Sequence, residues 1–235
     1  MMANRFLAFT DGSCTQNGKP GARAAFAALI VGGQFGGGQW LAPGAAAAAG
    51  MLRDATLITG AVLAREYAID GDGNIIQPPG APPVAPSNNR GELLGIIYAL
   101  AALTRGGAEV DGRSDIEIVS DSDICIRTLD EWLPARLKKK TEHALKNFDL
   151  VMVAWRLLVA LRSRARSVTL THTRSHQKPP PPSAPYRDRL IHRGNAIVDE
   201  CAGEVLADAD SAITLPRVVN GPDSLRGLAV AVESG

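Results

Sequence analysis

The chain has 235 residues, enough for one sizeable hydrophobic core. Its 25 lysines and arginines nearly balance 24 acidic residues, which excludes a uniformly basic protein and leaves only local charged patches. Three widely spaced cysteines exclude a disulfide framework and a zinc site, and no apolar run approaches the ~20 residues of a membrane-spanning helix. We therefore expect a soluble, cytoplasmic protein, or a nuclear one in a eukaryotic or viral setting.

The first part of the chain alternates apolar runs with long loops. Apolar residues at 5–10 and 24–31 flank a turn of Asn, Gly, Lys and Pro, which predicts two paired strands. Strand character returns at 56–69. The loops at about 32–55 and 70–87 are rich in Gly, Ala and Pro and are unusually long for a compact domain, so we interpret them as insertions.

The second part predicts helices packed against further strands. Leucine and isoleucine recur at helical spacing over 89–103, with Ser87 or Asn88 as the N-cap. The other predicted elements are a strand at 115–120, a helix at 122–133 that ends before Pro134, a helix at 147–161, a strand at 167–173 and a helix at 195–206. This order predicts an α/β domain with helices on a central sheet, followed by a mobile tail.

Four acidic residues stand in distinctive contexts: Asp11 in FTDGSC, Glu92 in NNRGELLG, Asp121 in IVSDSD and Asp199 in GNAIVDECA. We place Asp11 and Asp121 at strand ends, Glu92 in the first turn of its helix and Asp199 one turn into the last helix. Carboxylates brought together cannot all be ionised unless cations balance them, because like charges raise each other's pKa. Two divalent ions with oxygen ligands make a centre that cleaves phosphodiesters. The pattern therefore predicts a metal-dependent nuclease.

Six short motifs occur in order through nearly the whole chain: TDGSC at 10–14, NNRGEL at 88–93, SDSD at 120–123, KNFDL at 146–150, TRSH at 173–176 and GNAIVDECA at 194–202. Each motif is weak alone, but the ordered set on matching predicted elements is specific. With these motifs the chain resembles type 1 ribonuclease H. The resemblance implies an RNase H-like α/β fold with a five-stranded mixed central sheet flanked by helices. It assigns residues 1–207 to a catalytic domain and 208–235 to a flexible tail.

The resemblance also implies an activity. The expected enzyme is an endoribonuclease that hydrolyses the RNA strand of RNA–DNA hybrids with two Mg²⁺ ions, or Mn²⁺ in their place, leaving 5′-phosphate and 3′-hydroxyl ends. The four carboxylates match the family's metal-binding quartet. His176 matches its mobile histidine, which can move a proton near the metals. His172 and His192 are alternatives for that role, and the THTRSH context favours His176.

Substrate contacts are carried over from the family in the same way. Amides and hydroxyls suit the RNA 2′-OH and the backbone phosphates, and lysines suit phosphates alone. The expected contacts are Asn17, Ser87, Asn88, Asn89, Trp132, Lys138, Lys139, Lys140 and Asn195. Trp132 is equally well interpreted as a core residue at a helix end. The expected partner is the hybrid duplex, with no membrane and no obligate protein partner.

Departures from the family concern affinity for the hybrid more than chemistry. The basic connector after Leu133 keeps Arg136 and three lysines, but it is short and has no aromatic residue before Asn147. Two other functions stay open, because one fold serves many. The first is a nuclease that acts on DNA, such as a junction resolvase, which the NNR motif and the histidine loop disfavour. The second is a non-catalytic scaffold, which the complete quartet disfavours.

Overall fold

The computed structural model describes residues 4–34, 55–105, 110–208 and 217–220. Most of the predicted insertion at 32–55 and most of the predicted tail at 208–235 lie outside these ranges. Among the described residues, no helix is both long and apolar enough to cross a membrane.

A mixed β-sheet organises these residues. The described strands are β1 (Asn4–Thr15), β2 (Arg23–Gln34), β3 (Ala55–Ala61), β4 (Ala68–Ile69), β5 (Ile75–Ile76), β6 (Asp115–Ser120), β7 (Ser167–His172) and β8 (Arg217–Asn220). The large sheet has the order β7-β6-β1-β2-β3-β8, and β4 pairs only with β5. Strands β1, β2 and β3 are antiparallel neighbours, whereas β6 runs parallel to β1 and β7 runs parallel to β6.

Helices cover both faces of this sheet. They are α1 (Asn88–Arg105), α2 (Asp123–Arg127), α3 (Leu133–Lys139), α4 (Phe148–Arg162) and α5 (Tyr186–Ala207), with a π-helical turn (Thr128–Trp132) between α2 and α3. Alternate residues of β1 face opposite sides, as the strand period of two requires. Phe6 joins the core formed with α1 and α4, whereas Leu7 and Phe9 join the core under α5. The expected five-stranded mixed sheet flanked by helices is confirmed, and β8 extends it beyond β3.

Several predicted boundaries were wrong for identifiable reasons. The predicted strand at 56–69 ends at Ala61, and its last residues form β4 instead. Pro134 does not end a helix: it stands in the first turn of α3, where its missing N–H costs no hydrogen bond. The last helix begins at Tyr186 and not at residue 195, directly after Pro185. In the expected flexible tail, residues 217–220 pair with β3.

Glycines set the distance between α1 and the sheet. A Cβ atom on Gly91 would lie 2.5 Å from the Ala25 carbonyl oxygen, and one on Gly95 would lie 2.9 Å from the Ala27 carbonyl oxygen. From the other side, a Cβ atom on Gly12 would lie 2.3 Å from the backbone nitrogen of Glu92. The helix therefore rests on the backbones of β1 and β2 with no room for a side chain between them.

This contact predicts that glycine-to-alanine changes affect the stability of the fold differently at different positions. Gly91→Ala should destabilise the fold by roughly 1–3 kcal/mol, because the added methyl meets rigid backbone atoms. Gly203→Ala is the matched control, since Gly203 lies within α5 and nothing would lie within 4 Å of its Cβ. Alanine there should be neutral or stabilising by up to ~1 kcal/mol. Urea unfolding of both variants measures the difference, and equal stability of the two would contradict the packing described.

Candidate active site

Three of the predicted acidic residues meet at one edge of the sheet. One carboxylate oxygen from each of Asp11, Glu92 and Asp121 lies within 4.8 Å of the others. Asp11 and Glu92 are each only 4% exposed, and Asp121 is half-buried. The arrangement is therefore a mostly buried cluster of negative charge that opens to solvent on the side of Asp121.

Strand pairing brings Asp11 and Asp121 together. The parallel pairing of β1 with β6 ends at Thr10 and Ser120, so Asp11 and Asp121 are the next residues on the two chains. Side chains at the carboxyl ends of neighbouring parallel strands converge at one edge. The expectation that Asp11 ends its strand was wrong, because β1 continues to Thr15 along β2 and Asp11 pairs with Ala27. Asp11 directly follows the last residue of β1 that pairs with β6.

Helix α1 supplies the third carboxylate. The expectation that Glu92 lies in the first turn was wrong, because the helix begins at Asn88 and its first turn holds no acidic residue. Glu92 follows Gly91 directly, so the close approach of Gly91 and Gly12 places Glu92 beside Asp11. The start of the helix is held by Ser87, whose hydroxyl oxygen accepts a hydrogen bond from the backbone N–H of Arg90 at 3.4 Å. Ser87 is thus the N-cap that the sequence allowed.

Burial and mutual repulsion dominate the electrostatics of the cluster. Burial, then the charges of Asp121 and Asp199, raises the pKa of Asp11 to about 8, although the Gly12 N–H donates to its carboxylate at 2.7 Å. The pKa of Glu92 is also raised, first by burial and then by Asp11 and Asp121. One oxygen of Glu92, Oε2, is buried without a hydrogen-bond partner among the described residues. Oxygen donors, excess negative charge and an unpaired buried oxygen together fit a divalent cation.

Asp199 lies at the rim of the cluster. Its charge raises the pKa of Asp11, which places the two carboxylates near each other, but Asp199 itself is exposed. It stands near the middle of α5 and not one turn from its start, because the helix begins earlier than predicted. A Cβ atom on Gly194 would lie 2.4 Å from the Phe9 ring, so α5 sits close to β1 one turn before Asp199.

Three histidines surround the acidic residues. His176, whose side chain is 80% exposed, has Nδ1 at 4.0 Å from Asp199 Oδ2. The two alternatives contact backbone instead: His172 Nε2 lies 3.2 Å from the carbonyl oxygen of Asp121, and His192 Nε2 lies 2.9 Å from that of Gln177. Of these three rings, that of His176 is the one that lies beside a carboxylate of the predicted quartet.

The expected polar substrate contacts gather beside Glu92. The backbone N–H of Asn88 donates to Asn17 Oδ1, and its side-chain amide donates to Glu92 Oε1, both at 3.2 Å. Asn89 adjoins them at the start of α1. A chain of hydrogen bonds therefore joins Asn17 and Asn88 to the acidic cluster.

The remaining expected contacts divide into exposed and buried residues. Lys138, Lys139 and Lys140 are exposed at the end of α3. Trp132 is 37% exposed, with the Arg127 guanidinium 5.3 Å from its ring centroid, which favours a groove residue over a core residue. Asn195 is only 6% exposed, so its burial in α5 argues against a direct substrate contact.

A buried ion pair beside the site was missed in the sequence. The Arg90 guanidinium donates to both carboxylate oxygens of Asp149, at 2.9 and 2.7 Å, and to the Arg65 carbonyl oxygen at 2.9 Å. Tyr67 completes the contact by donating its backbone N–H to Asp149 at 3.1 Å. The pair ties the start of α1 to α4 and to the segment before β4. Its signal was present, since Arg90 lies in NNRGEL and Asp149 in KNFDL.

The sequence pattern of the RNase H family matches residues 59–207, which is more than half of the chain. The chain belongs to the RNase H family, a family of nucleases that cleave the RNA strand of RNA–DNA hybrids. The resemblance drawn from the motifs is confirmed. No curated protein sequence matches the chain significantly.

One solved structure of low sequence identity shares the fold, and a second is similar at a lower TM-score. LC9-RNase H1, a type 1 RNase H with the type 2 active-site motif, is 15% identical, with a TM-score of 0.58 over 99% of this chain and 86% of that one. RNase H1 from the halophilic archaeon Halobacterium salinarum is 19% identical, with a TM-score of 0.42 over 87% of this chain and 99% of that one. At such identities the similarity concerns the fold alone.

The raised pKa of Asp11 predicts how stability without metal depends on pH. A folded-state pKa near 8, against 3.8 for the ordinary group, means that folding favours the protonated carboxyl. That stabilisation is complete below the ordinary pKa and is lost as pH rises through 8. The asparagine of Asp11→Asn stays neutral at every pH. In chelator, the Tm of this variant should therefore be higher than that of the wild type by about 5 °C at pH 9 and nearly equal to it at pH 4.

Thermal unfolding in chelator at both pH values measures this difference. Asp72→Asn is the control, because it removes an exposed carboxylate from the turn between β4 and β5. It should leave the difference between the two pH values as in the wild type. The same Tm gain for Asp11→Asn at both pH values would show that proton uptake at Asp11 is not the cause.

Proposed function

We propose that this chain is a type 1 ribonuclease H that hydrolyses the RNA strand of RNA–DNA hybrids with two divalent metal ions. The products would carry 5′-phosphate and 3′-hydroxyl ends. The observation that carries the proposal is the convergence of Asp11, Glu92 and Asp121 within 4.8 Å in a member of this family. Asp199 and His176 at the rim support the same function.

The acidic residues would hold the metals. Magnesium, or manganese in its place, supplies an activated water and charge stabilisation of the leaving 3′-oxygen when bound. Asp11 and Glu92 are buried and bring the negative charge that a cation neutralises. Asp121 and Asp199 lie nearer to solvent, where a ligand can contact metal and substrate together.

His176 is proposed to move a proton at the rim. Its ring is exposed and its backbone adopts a left-handed conformation, with φ of 53°, which turns the side chain at this point of the loop. An imidazole ring can accept or donate a proton during hydrolysis. The neighbouring Asp199 carboxylate lies 4.0 Å from the ring, which keeps the imidazole at the rim of the cluster.

The hybrid would lie across the edge of the sheet that holds the cluster. Asn17 and Asn88 are hydrogen-bonded to each other beside Glu92, and amides of this kind can contact a 2′-hydroxyl or a phosphate. Trp132 offers a flat exposed face, and Lys138, Lys139 and Lys140 offer positive charge. A cleavage assay with end-labelled hybrid, duplex DNA and duplex RNA of one sequence tests the proposal. Cutting confined to the RNA strand of the hybrid supports it, and cutting of duplex DNA alone would refute it.

Removal of one metal ligand tests the chemistry. Asp121→Asn should reduce cleavage in magnesium by at least ~100-fold, because the amide keeps the shape of the side chain and loses its charge. Hybrid binding in calcium should survive, since calcium tolerates irregular coordination but places reacting oxygens poorly. Single-turnover cleavage and fluorescence anisotropy measure the two properties.

The control for this experiment is Asp72→Asn, which removes an exposed carboxylate far along the chain from the cluster. It should cleave like the wild type. Robust cutting by Asp121→Asn in magnesium, or by the wild type in excess chelator, would contradict metal-dependent hydrolysis at this cluster.

Substitution of the three histidines separates their roles. His176→Ala should slow turnover by roughly 10- to 1000-fold without abolishing it, the range expected for a lost proton-transfer group. His172→Ala and His192→Ala should lose less, since those rings contact backbone carbonyls. Comparison of kcat for the three variants gives the order, and a greater loss at His192 than at His176 would place the proton-transfer group elsewhere.

A further inference from the structure

Positive charge is concentrated in the loop that carries His176 and in the first turns of α5. Residues 174–193 contain five lysines and arginines against one acidic residue, Asp188, although charges nearly cancel over the whole chain. Arg174 and Lys178 stand two residues on either side of His176, so their Cα atoms lie within ~7 Å of its Cα. Both side chains are exposed.

Among the described residues, Arg174 and Lys178 differ from several arginines in forming no ion pair. Arg90, Arg113, Arg162 and Arg166 form ion pairs with aspartates, and Arg187 pairs with buried Glu117. Neither Arg174 nor Lys178 forms an ion pair with any residue in the described ranges. Two unpaired cations therefore flank a ring that lies 4.0 Å from Asp199.

The loop is held in place at several points. The Thr173 backbone N–H donates to the Ser120 carbonyl oxygen at 2.9 Å, directly before Arg174. His192 of α5 contacts the Gln177 carbonyl oxygen at 2.9 Å, directly before Lys178. Four consecutive prolines, residues 179–182, follow and stiffen the chain. The two cations are thus presented from an anchored backbone.

We propose that Arg174 and Lys178 bind backbone phosphates of the hybrid beside the bond that is cleaved. This inference rests on the proposed function and adds a second phosphate-binding surface to it. Phosphates of the hybrid must lie close to the acidic cluster during cleavage. Cations at the rim of the cluster offset the repulsion between these phosphates and the carboxylates. The surface also compensates for the short connector at 134–146, which lacks aromatic residues.

The test is the salt dependence of hybrid binding by the double variant Arg174→Gln/Lys178→Gln. Each lost phosphate contact should lower the slope of log K against log salt by about 1, so the pair should lower it by about 2. Binding is measured by fluorescence anisotropy of a labelled RNA–DNA hybrid in calcium. Duplex DNA of the same sequence is the second probe and should show the same change, because phosphate contacts do not distinguish the sugars.

Arg113→Gln is the control for loss of a positive charge away from the cluster. Arg113 precedes β6 at the end opposite Asp121, roughly 20 Å away along the strand. This control should keep the wild-type slope and the wild-type cleavage rate. In steady-state cleavage by the double variant, KM should rise more than kcat falls.

The outcomes separate this inference from the proposed function. Failure of the wild-type chain to cut the hybrid would refute the function itself. A wild-type chain that cuts the hybrid, with a double variant whose salt slope equals that of Arg113→Gln, would overturn only the phosphate-binding surface. A fall in kcat with an unchanged slope would also overturn it, because the residues would then act by positioning His176. Circular dichroism of each variant establishes that it folds.

Discussion

The N-terminal turn of α1 lies against the backbones of β1 and β2 at a distance that only glycine allows, and the active site depends on this contact. Gly12 and Gly91 meet directly, and Glu92 is the next residue along the helix. A side chain at either glycine would push the helix outward and carry Glu92 away from Asp11. The Arg90–Asp149 ion pair holds the same turn from the opposite side, against α4. The position of one carboxylate is therefore set by packing over two faces of a single helical turn.

That packing has an unfavourable electrostatic consequence. Asp11 and Glu92 are buried next to each other, and without a cation the protein relieves their repulsion by taking up protons, as the raised pKa values of both residues indicate. Neutral residues in place of Asp11 or Glu92 would favour folding in the absence of metal. They would also remove the negative charge that attracts a cation. The acidic cluster is thus a locally unfavourable arrangement that a rigid scaffold maintains.

Backbone contacts give three histidines distinct surroundings. His172 touches the carbonyl of Asp121, His192 touches the carbonyl of the loop, and His176 is left with an exposed ring beside Asp199. The same loop carries the unpaired Arg174 and Lys178. The segment between β7 and α5 therefore combines an exposed imidazole with two exposed cations.

The sequence by itself determined the acidic residues, the order of most strands and helices, and the family, because each of these is encoded in local contexts such as TDGSC and NNRGEL. Local patterns could not show that Pro134 begins a helix, that α5 starts at Tyr186, or that Asn195 is buried. Those features depend on which surface each segment packs against. Only the tertiary structure decided that Gly12 and Gly91 touch, that Arg90 reaches Asp149, and which histidine ring stays exposed. Each of these contacts joins residues far apart in the chain, so no local pattern contains the distance between them.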